Sequence, residues 1–175
     1  SDDGEKNDRC DRILEIQARG LARRMEAAYA KTLVLGLSGG LDSCLALLVA
    51  VRACEIANRP MSDIHAVTMP CFGTTKRTKS NAETLAAALG TTFSDIDIKD
   101  AVDIHFRDIG QNPETHDVTY ENCQARERTQ ILMDLANKEG GIVVGTGDLS
   151  ELALGFATYN GDHMSMYGVN ASVPK

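Results

Sequence analysis

Several features that assign proteins to common classes are missing from this sequence. It has no tryptophan, only four prolines, and no long apolar run, since stretches such as residues 45–51 fall far short of the ~20 residues of a membrane helix. The five cysteines are odd in number and form no Cys-x-x-Cys pair, which argues against a disulfide framework or a closed zinc site. No charged and then apolar signal segment opens the chain, so we expect a cytoplasmic protein with reduced thiols and no membrane partner.

Positive charge is also in short supply. The chain has 18 Lys and Arg against 25 Asp and Glu, a formal charge of −7. This balance favours small-molecule chemistry and predicts no nucleic-acid partner, because an acidic protein repels nucleic-acid phosphate. The 43% hydrophobic and 25% charged content of 175 residues is typical of one globular domain and excludes general disorder.

Strand-like and helix-like segments alternate along the chain. Residues 1–8 are polar and acidic and are expected to be a linker or the end of an expressed fragment, with the domain spanning residues 9–175. The patterns predict helices over residues 8–30, 41–57, 80–89, 99–109 and 120–138, and strands over residues 32–37, 64–69, 92–98 and 142–145. This alternation predicts an α/β fold, a doubly wound parallel sheet with helices on both faces. The loops beginning at Ser38, Pro70 and Thr146 should then share one cleft at the carboxyl ends of the strands.

The most informative segment follows the first predicted strand and consists of Ser38, Gly39, Gly40, Leu41, Asp42 and Ser43. Adjacent glycines allow positive φ and close approach to a ligand, while the helix that begins here directs backbone N–H groups outward, as an anion site requires. Asp42 would repel bare phosphate unless a divalent cation bridged the two, which indicates Mg²⁺. The alternative is an ordinary helix start capped by Ser38 or Asp42. The segment matches neither the Walker motif nor the dinucleotide fingerprint.

Residues 38–43 resemble the pyrophosphate loop of the N-type ATP pyrophosphatases, which have an adenine nucleotide α-hydrolase-like fold and cleave ATP between its α and β phosphates. Five further stretches make residues 10–175 similar to the synthetase domain of the NAD⁺ synthetases, especially the glutamine-dependent form. They are residues 69–82, 117–130, 145–155, 157–162 and 167–175.

The resemblance implies a set of site residues. ATP would be bound by residues 38–43, Thr146 and Lys175, with Asp42 and Lys175 as catalytic residues and Asp42 and Glu151 as Mg²⁺ ligands. Deamido-NAD⁺ would be bound by Asn122, Arg126, Glu151, Phe156, Ala157, Thr158 and Tyr159.

Spacing alone leaves alternatives open for some of these positions. Asn122, Arg126 and Gln130 lie at steps of four and would also suit a polar solvent-facing stripe. Asp148 and Glu151 have the spacing of a helix capping box. The basic segment of Lys76, Arg77 and Lys79 suits a polyphosphate but would also suit a solvated loop.

The implied activity is that of a carbon–nitrogen ligase. Deamido-NAD⁺ would be amidated to NAD⁺ through an acyl-adenylate, with release of AMP and pyrophosphate. Ammonia would come from glutamine through a separate nitrilase-like glutaminase domain that this sequence lacks, and the family implies a homo-oligomer. Because the family continues beyond the element at Lys175, we expect the domain to be incomplete at its carboxyl terminus. The alternatives are another adenylating ligase with the same loop and a non-catalytic nucleotide-binding fragment.

Overall fold

The structure, a computed structural model, describes residues 2–145 and the backbone of residues 167–168. The helices are α1 (Asp2–Ala27), α2 (Leu41–Ile56), α3 (Lys76–Leu89), α4 (Lys99–Ile109) and α5 (Val118–Glu139), with a 3₁₀ turn at Met61–Asp63. The strands are β1 (Leu33–Gly36), β2 (Ile64–Thr68), β3 (Thr92–Asp95), β4 (Ile142–Gly145) and β5 (Tyr167–Gly168). None of the helices in the described ranges is both long enough and apolar enough to cross a bilayer.

The strands form one parallel sheet in the order β3-β2-β1-β4-β5. Leu33 at the start of β1 lies opposite Ile64 of β2 and Ile142 of β4. The chain builds outward from β1 through β2 and β3 on one side and then continues through β4 on the other. A reversal of this kind opens a crevice at the carboxyl ends of the two strands that flank it.

Helices cover both faces of the sheet. Successive side chains of a strand point to opposite faces, so the apolar strands need helices on each face to bury them. Leu33 and Leu35 of β1 belong to a core cluster with residues of α1, α2 and α3. Val34, between them, belongs to a second cluster with residues of α4 and α5. The predicted doubly wound α/β fold is confirmed.

Several helix and strand ends differ from the prediction. The first helix begins at Asp2 and not near residue 8, so the acidic segment is helical; acidic residues suit a helix amino terminus. Its residues 3–8 are exposed and add nothing to the core. Helix α3 begins at Lys76 and not at residue 80, because the Thr75 side chain caps it by accepting from the Thr78 backbone N–H at 3.2 Å.

A buried polar network lies near the amino ends of the strands. His65 of β2 is 8% exposed. Its Nδ1 lies 2.6 Å from Glu139 Oε1, and its Nε2 lies 2.7 Å from Ser94 Oγ. The Thr32 hydroxyl donates to Glu139 Oε2 at 3.0 Å. We call these four residues the amino-edge network, which connects the segments entering β1 and β4 to strands β2 and β3.

Candidate functional site

The turn between β1 and α2 depends on its first glycine. Gly39 has a φ of +86°, in the left-handed region that favours glycine. A Cβ at this position would lie 3.0 Å from both Cγ2 and the backbone oxygen of Thr78, in the first turn of α3. Gly40 has an ordinary extended conformation, with φ −79°. The predicted positive φ is therefore confirmed for Gly39, and the close neighbour at this position is α3; close approach to a ligand stays a prediction.

Two serine hydroxyls hold the turn in shape. The Ser43 hydroxyl donates to the Gly40 carbonyl oxygen at 3.0 Å. Because a hydroxyl has one proton, the 3.1 Å contact between the two serine oxygens must have Ser38 as its donor. Ser43 Oγ also accepts from the Ser38 backbone N–H at 3.2 Å, and Ser38 Oγ accepts from the Gly40 N–H at 3.2 Å. These four hydrogen bonds within residues 38–43 therefore hold the turn in one shape.

Helix α2 begins without a side-chain cap. Its N-cap residue is Gly40, which has no side chain to accept a capping hydrogen bond. The alternative interpretation of the segment, a helix start capped by Ser38 or Asp42, is thus wrong. The first N–H groups of a helix have no intrahelical acceptor and carry the positive end of its dipole, so an uncapped amino terminus favours a bound anion.

A cavity of about 490 Å³ opens beside this turn, at the carboxyl ends of β1, β2 and β4. Ser38, Gly40, Asp42 and Ser43 line one part of it, and Pro70 after β2 lines another. The predicted shared cleft is therefore confirmed for the loops that follow β1 and β2. The third loop begins at Thr146, beyond the last described residue of β4.

Only two charged side chains are found among the described residues that line the cavity, Asp42 and Arg128. Arg128 lies on α5, and its Nε donates to the Met69 carbonyl oxygen at 3.1 Å. Sequence reasoning missed Arg128 as a site residue. The sequence did contain a signal for it. Leu132 lies one helical turn beyond Arg128 on the same face of α5, and an apolar residue there indicates a face that packs against the sheet.

The stripe of α5 that was predicted to bind substrate is divided between two environments. Asn122 is 9% exposed, whereas Arg126 and Gln130 are exposed. None of the three belongs to the described lining of the cavity. A role for Asn122 and Arg126 in binding deamido-NAD⁺ therefore stays a prediction and would require a surface outside this cavity wall.

The basic segment before and within α3 presents hydroxyls to the cavity more than cations. Thr74 and Thr78 line it, whereas Lys79 forms an ion pair with the Asp95 carboxylate at the end of β3. The same carboxylate raises the pKa of Lys79. Lys79 is thus paired with the end of β3 and does not face the cavity. The spacing of the basic residues in the sequence could not show this pairing.

An aromatic cluster supports another wall of the cavity. Phe72 lines the cavity, and its ring stacks against Phe106 at 6.1 Å and Tyr120 at 5.8 Å between centroids. Contacts at these distances favour a fixed ring position. This part of the cavity wall is therefore apolar, and Phe106 and Tyr120 pack against Phe72.

The buried thiols are poor nucleophiles. Burial raises the pKa of Cys71 and Cys123, and it raises the pKa of Cys54 from 9.0 to about 11. Since the thiolate is the reactive form, these groups stay protonated near neutral pH. Cys54, Cys71 and Cys123 are therefore poorly suited to act as nucleophiles.

The remaining predicted site residues lie outside the described residues. They are Thr146, Glu151, Phe156, Ala157, Thr158, Tyr159 and Lys175. Within the described ranges, no group of three or more His, Cys, Asp or Glu residues could hold a metal ion. A single carboxylate, Asp42, nevertheless suits Mg²⁺, which is usually bound by one or two carboxylates together with substrate phosphates.

Comparison with known proteins identifies relatives along nearly the whole chain. The family model described as NAD synthase matches residues 13–170. The glutamine-dependent NAD(+) synthetase of Mycobacterium leprae (strain TN) is 52% identical over 171 residues, which are 95% of this chain and 25% of that protein. The NH(3)-dependent NAD(+) synthetase of Trichlorobacter lovleyi is 38% identical over 136 residues, 78% of this chain and 47% of that protein. The chain thus spans about a quarter of the mycobacterial relative.

Solved structures show the same fold. The glutamine-dependent NAD+ synthetase from Acinetobacter baumannii, in complex with ADP, superposes with a TM-score of 0.82 and 33% identity, over 93% of this chain and 30% of that one. The NH3-dependent NAD synthetase from Campylobacter jejuni, in complex with nitrate, gives a TM-score of 0.79 and 28% identity, over 94% of this chain and 68% of that one.

Proposed function

The chain belongs to the NAD synthase family, and we propose that it binds ATP and uses it to adenylate deamido-NAD⁺ for amidation to NAD⁺. The observation that carries the proposal is the serine-braced turn at the uncapped start of α2, which borders a cavity at the reversal point of the sheet. A relative of known structure, the Acinetobacter enzyme, was solved with ADP.

The polyphosphate of ATP would lie against residues 38–43, where the helix dipole and the first backbone N–H groups of α2 favour negative charge. The cavity volume of about 490 Å³ lies within the range of small-molecule sites. The aromatic wall at Phe72 and the hydroxyls of Thr74 and Thr78 offer apolar and polar surface for the rest of the nucleotide. Thr146 and Lys175 would complete the ATP contacts, as the family resemblance implies.

Asp42 would hold Mg²⁺ together with the phosphates, and Glu151 would be a second carboxylate ligand. The donor set fits, because Asp42 lies on the wall of a cavity suited to an anion, and a carboxylate beside phosphate favours a divalent cation between the two. When bound, Mg²⁺ supplies charge neutralisation at the phosphates.

The proposed reaction needs little acid–base chemistry from the protein. The nicotinate carboxylate of deamido-NAD⁺ attacks the α-phosphorus of ATP, the bond to the β-phosphate oxygen breaks, and pyrophosphate leaves. Ammonia then attacks the acyl carbon, AMP leaves, and nitrogen loses a proton to give the amide. The chain would position the two nucleotides and stabilise the charge that gathers around the α-phosphate. Asn122, Arg126, Glu151 and residues 156–159 would hold deamido-NAD⁺.

The source of ammonia is a further part of the proposal. Relatives about four times longer than the matched segment are named glutamine-dependent, which supports a separate glutaminase domain that supplies ammonia from glutamine. Residues 9–175 would then form the larger part of the synthetase domain of a cytoplasmic homo-oligomer.

A pyrophosphate-release assay with ATP, Mg²⁺, deamido-NAD⁺ and ammonia tests this function. We expect pyrophosphate to appear only when deamido-NAD⁺ is present, with NAD⁺ formed in equal amount. Release with a different acceptor would indicate another ligase with the same loop, and ATP binding without any release would indicate a nucleotide-binding module. Either of these two results would contradict the proposal.

A further inference from the structure

An anionic nucleotide in this cavity needs positive charge from the protein in addition to the Mg²⁺ proposed at Asp42. An anionic nucleotide beside Asp42, in a chain with a formal charge of −7, meets like charge. The basic residues expected to offset it do not border the described cavity wall, and Lys79 is paired with Asp95. Among the described lining residues Arg128 alone carries a positive charge.

Arg128 is held in place by the backbone and not by a carboxylate. Its Nε donates to the Met69 carbonyl oxygen at 3.1 Å, next to the carboxyl end of β2. Within the described residues no salt bridge to Arg128 is found, whereas Arg52 pairs with Glu15 and Arg59 pairs with Asp63. Since a guanidinium has five N–H donors, the tether at Nε leaves the two terminal amino groups for other acceptors.

The packing of α5 explains why Arg128 faces the cavity. Leu132, one turn further along α5, lies against β1, because a Cβ on Gly36 would be 3.4 Å from Leu132 Cδ1. Residues four apart share a helix face, so Arg128 continues the same stripe. Helix α5 ends where β4 begins, at the amino edge, and Arg128 therefore lies further toward the carboxyl edge and the cavity.

We infer that Arg128 binds an anionic oxygen group of the substrates, with its Nε bond to Met69 setting the plane of the guanidinium. The inference rests on the proposed function, which supplies two sources of such a group: a phosphate of ATP and the carboxylate of deamido-NAD⁺. Both present the planar or forked oxygens that a guanidinium recognises with paired hydrogen bonds.

Ligand pairs that differ in the anionic group test this inference in the full-length protein that carries this chain. Calorimetric titration would compare ATP with adenosine, and deamido-NAD⁺ with NAD⁺, in the wild type, R128Q and R128K. We expect R128Q to weaken the anionic member of at least one pair by about tenfold or more relative to its partner, the usual effect of losing a hydrogen bond to a charged group. The affected pair identifies the source of the anion.

Two matched variants sharpen the result. R128K keeps the charge but not the fork and should recover part of the lost affinity. R107Q removes an equally positive but exposed side chain from α4 and should leave all four affinities unchanged. Equal weakening of both members of each pair by R128Q would reduce Arg128 to a structural tether and overturn the inference, as would no weakening at all.

Modification of the wild type covers the case in which R128Q does not fold. Phenylglyoxal labelling, read by mass spectrometry at Arg128, should be slowed by ATP or by deamido-NAD⁺ but not by adenosine or NAD⁺. Labelling at the same rate with all four ligands would overturn the inference. If the wild type binds ATP and deamido-NAD⁺ and R128Q binds both equally well, only this inference fails. If the wild type binds no ATP, the proposed function itself fails.

Discussion

The two edges of the parallel sheet differ in how their polar groups are hydrogen-bonded. Near the amino edge, three hydrogen bonds join the four residues of the amino-edge network, Thr32, His65, Ser94 and Glu139. At the carboxyl edge, the start of α2 has no side-chain cap and borders a cavity of about 490 Å³. Both edges are built from residues that enter or leave the same buried strands.

The contrast separates stability from binding. Polar groups that satisfy one another stabilise the chain, and their loss leaves a buried partner without a hydrogen bond. Backbone N–H groups that face a cavity contribute to ligand binding and add little to the free energy of unfolding of the chain alone. Substitutions at the amino edge should therefore lower the free energy of unfolding, whereas substitutions at the carboxyl edge should lower activity with the fold intact.

The largest expected effect is at the carboxyl edge, with D42N. This change removes the one described carboxylate on the cavity wall and should lower kcat/KM at saturating Mg²⁺ by about 10²- to 10³-fold, a loss of about 3–4 kcal/mol of transition-state stabilisation. The fold should stay nearly intact, which circular dichroism of D42N would check. D100N, in the exposed first turn of α4, is the matched control. Wild-type turnover by D42N would refute the role of Asp42.

At the amino edge the strongest effect is expected from G141A. A Cβ on Gly141 would lie 2.2 Å from Thr32 Oγ1 and 2.5 Å from the Thr32 backbone oxygen, so the segments entering β1 and β4 would have to separate. Overpacking against backbone should lower the free energy of unfolding by about 3 kcal/mol, measured by urea denaturation. ATP affinity of the folded fraction should not change. G4A, which meets nothing within 4 Å, should be nearly neutral.

A smaller loss of stability should follow from E139A. The change removes the acceptor of both Thr32 and His65 and leaves a buried imidazole without that partner. We expect the free energy of unfolding to fall by about 1–3 kcal/mol. D134A, on an exposed position of the same helix, controls for the loss of a carboxylate. A stable E139A with reduced ATP affinity would break the division between the two edges.

The effect limited to the narrowest range of conditions is the pH dependence that Cys54 contributes, which is expected only at alkaline pH. This thiol lies near the end of α2, and burial raises its pKa from 9.0 to about 11 in the folded chain. Because the unfolded thiol ionises first, the folded state binds more protons between these values, and its stability falls as pH rises from 9 to 11. Below pH 9 the contribution is constant. Urea denaturation across this range should show a weaker decline for C54A than for the wild type.

Local patterns predicted most of the fold. The alternation of apolar strands with helices identified four strands and the parallel sheet, and Lys99–Ile109 and Ile142–Gly145 have the bounds expected from the sequence. The Ser-Gly-Gly segment predicted the turn at Gly39 because its requirement for positive φ is local. The start of α3 was missed because a threonine hydroxyl can either cap a helix or face solvent.

Contacts between distant segments could not be predicted in the same way. Arg128 bonds to a carbonyl 59 positions away, and Lys79 pairs with a strand end that only the folded sheet brings near. The polar side chains of α5 did not distinguish the stripe with Arg126 from the stripe with Arg128; the distinguishing signal was the apolar Leu132 one turn beyond Arg128. The amino-edge network likewise joins residues from four separate segments.

A crystal structure of the protein with ATP and Mg²⁺ tests the central claim most directly, that the carboxyl edge is the nucleotide site. We expect phosphate oxygens within hydrogen-bond distance of the backbone N–H groups of residues 39–43, with the Asp42 carboxylate facing them. Phosphates bound away from residues 38–43, with the serine-braced turn unchanged, would contradict it.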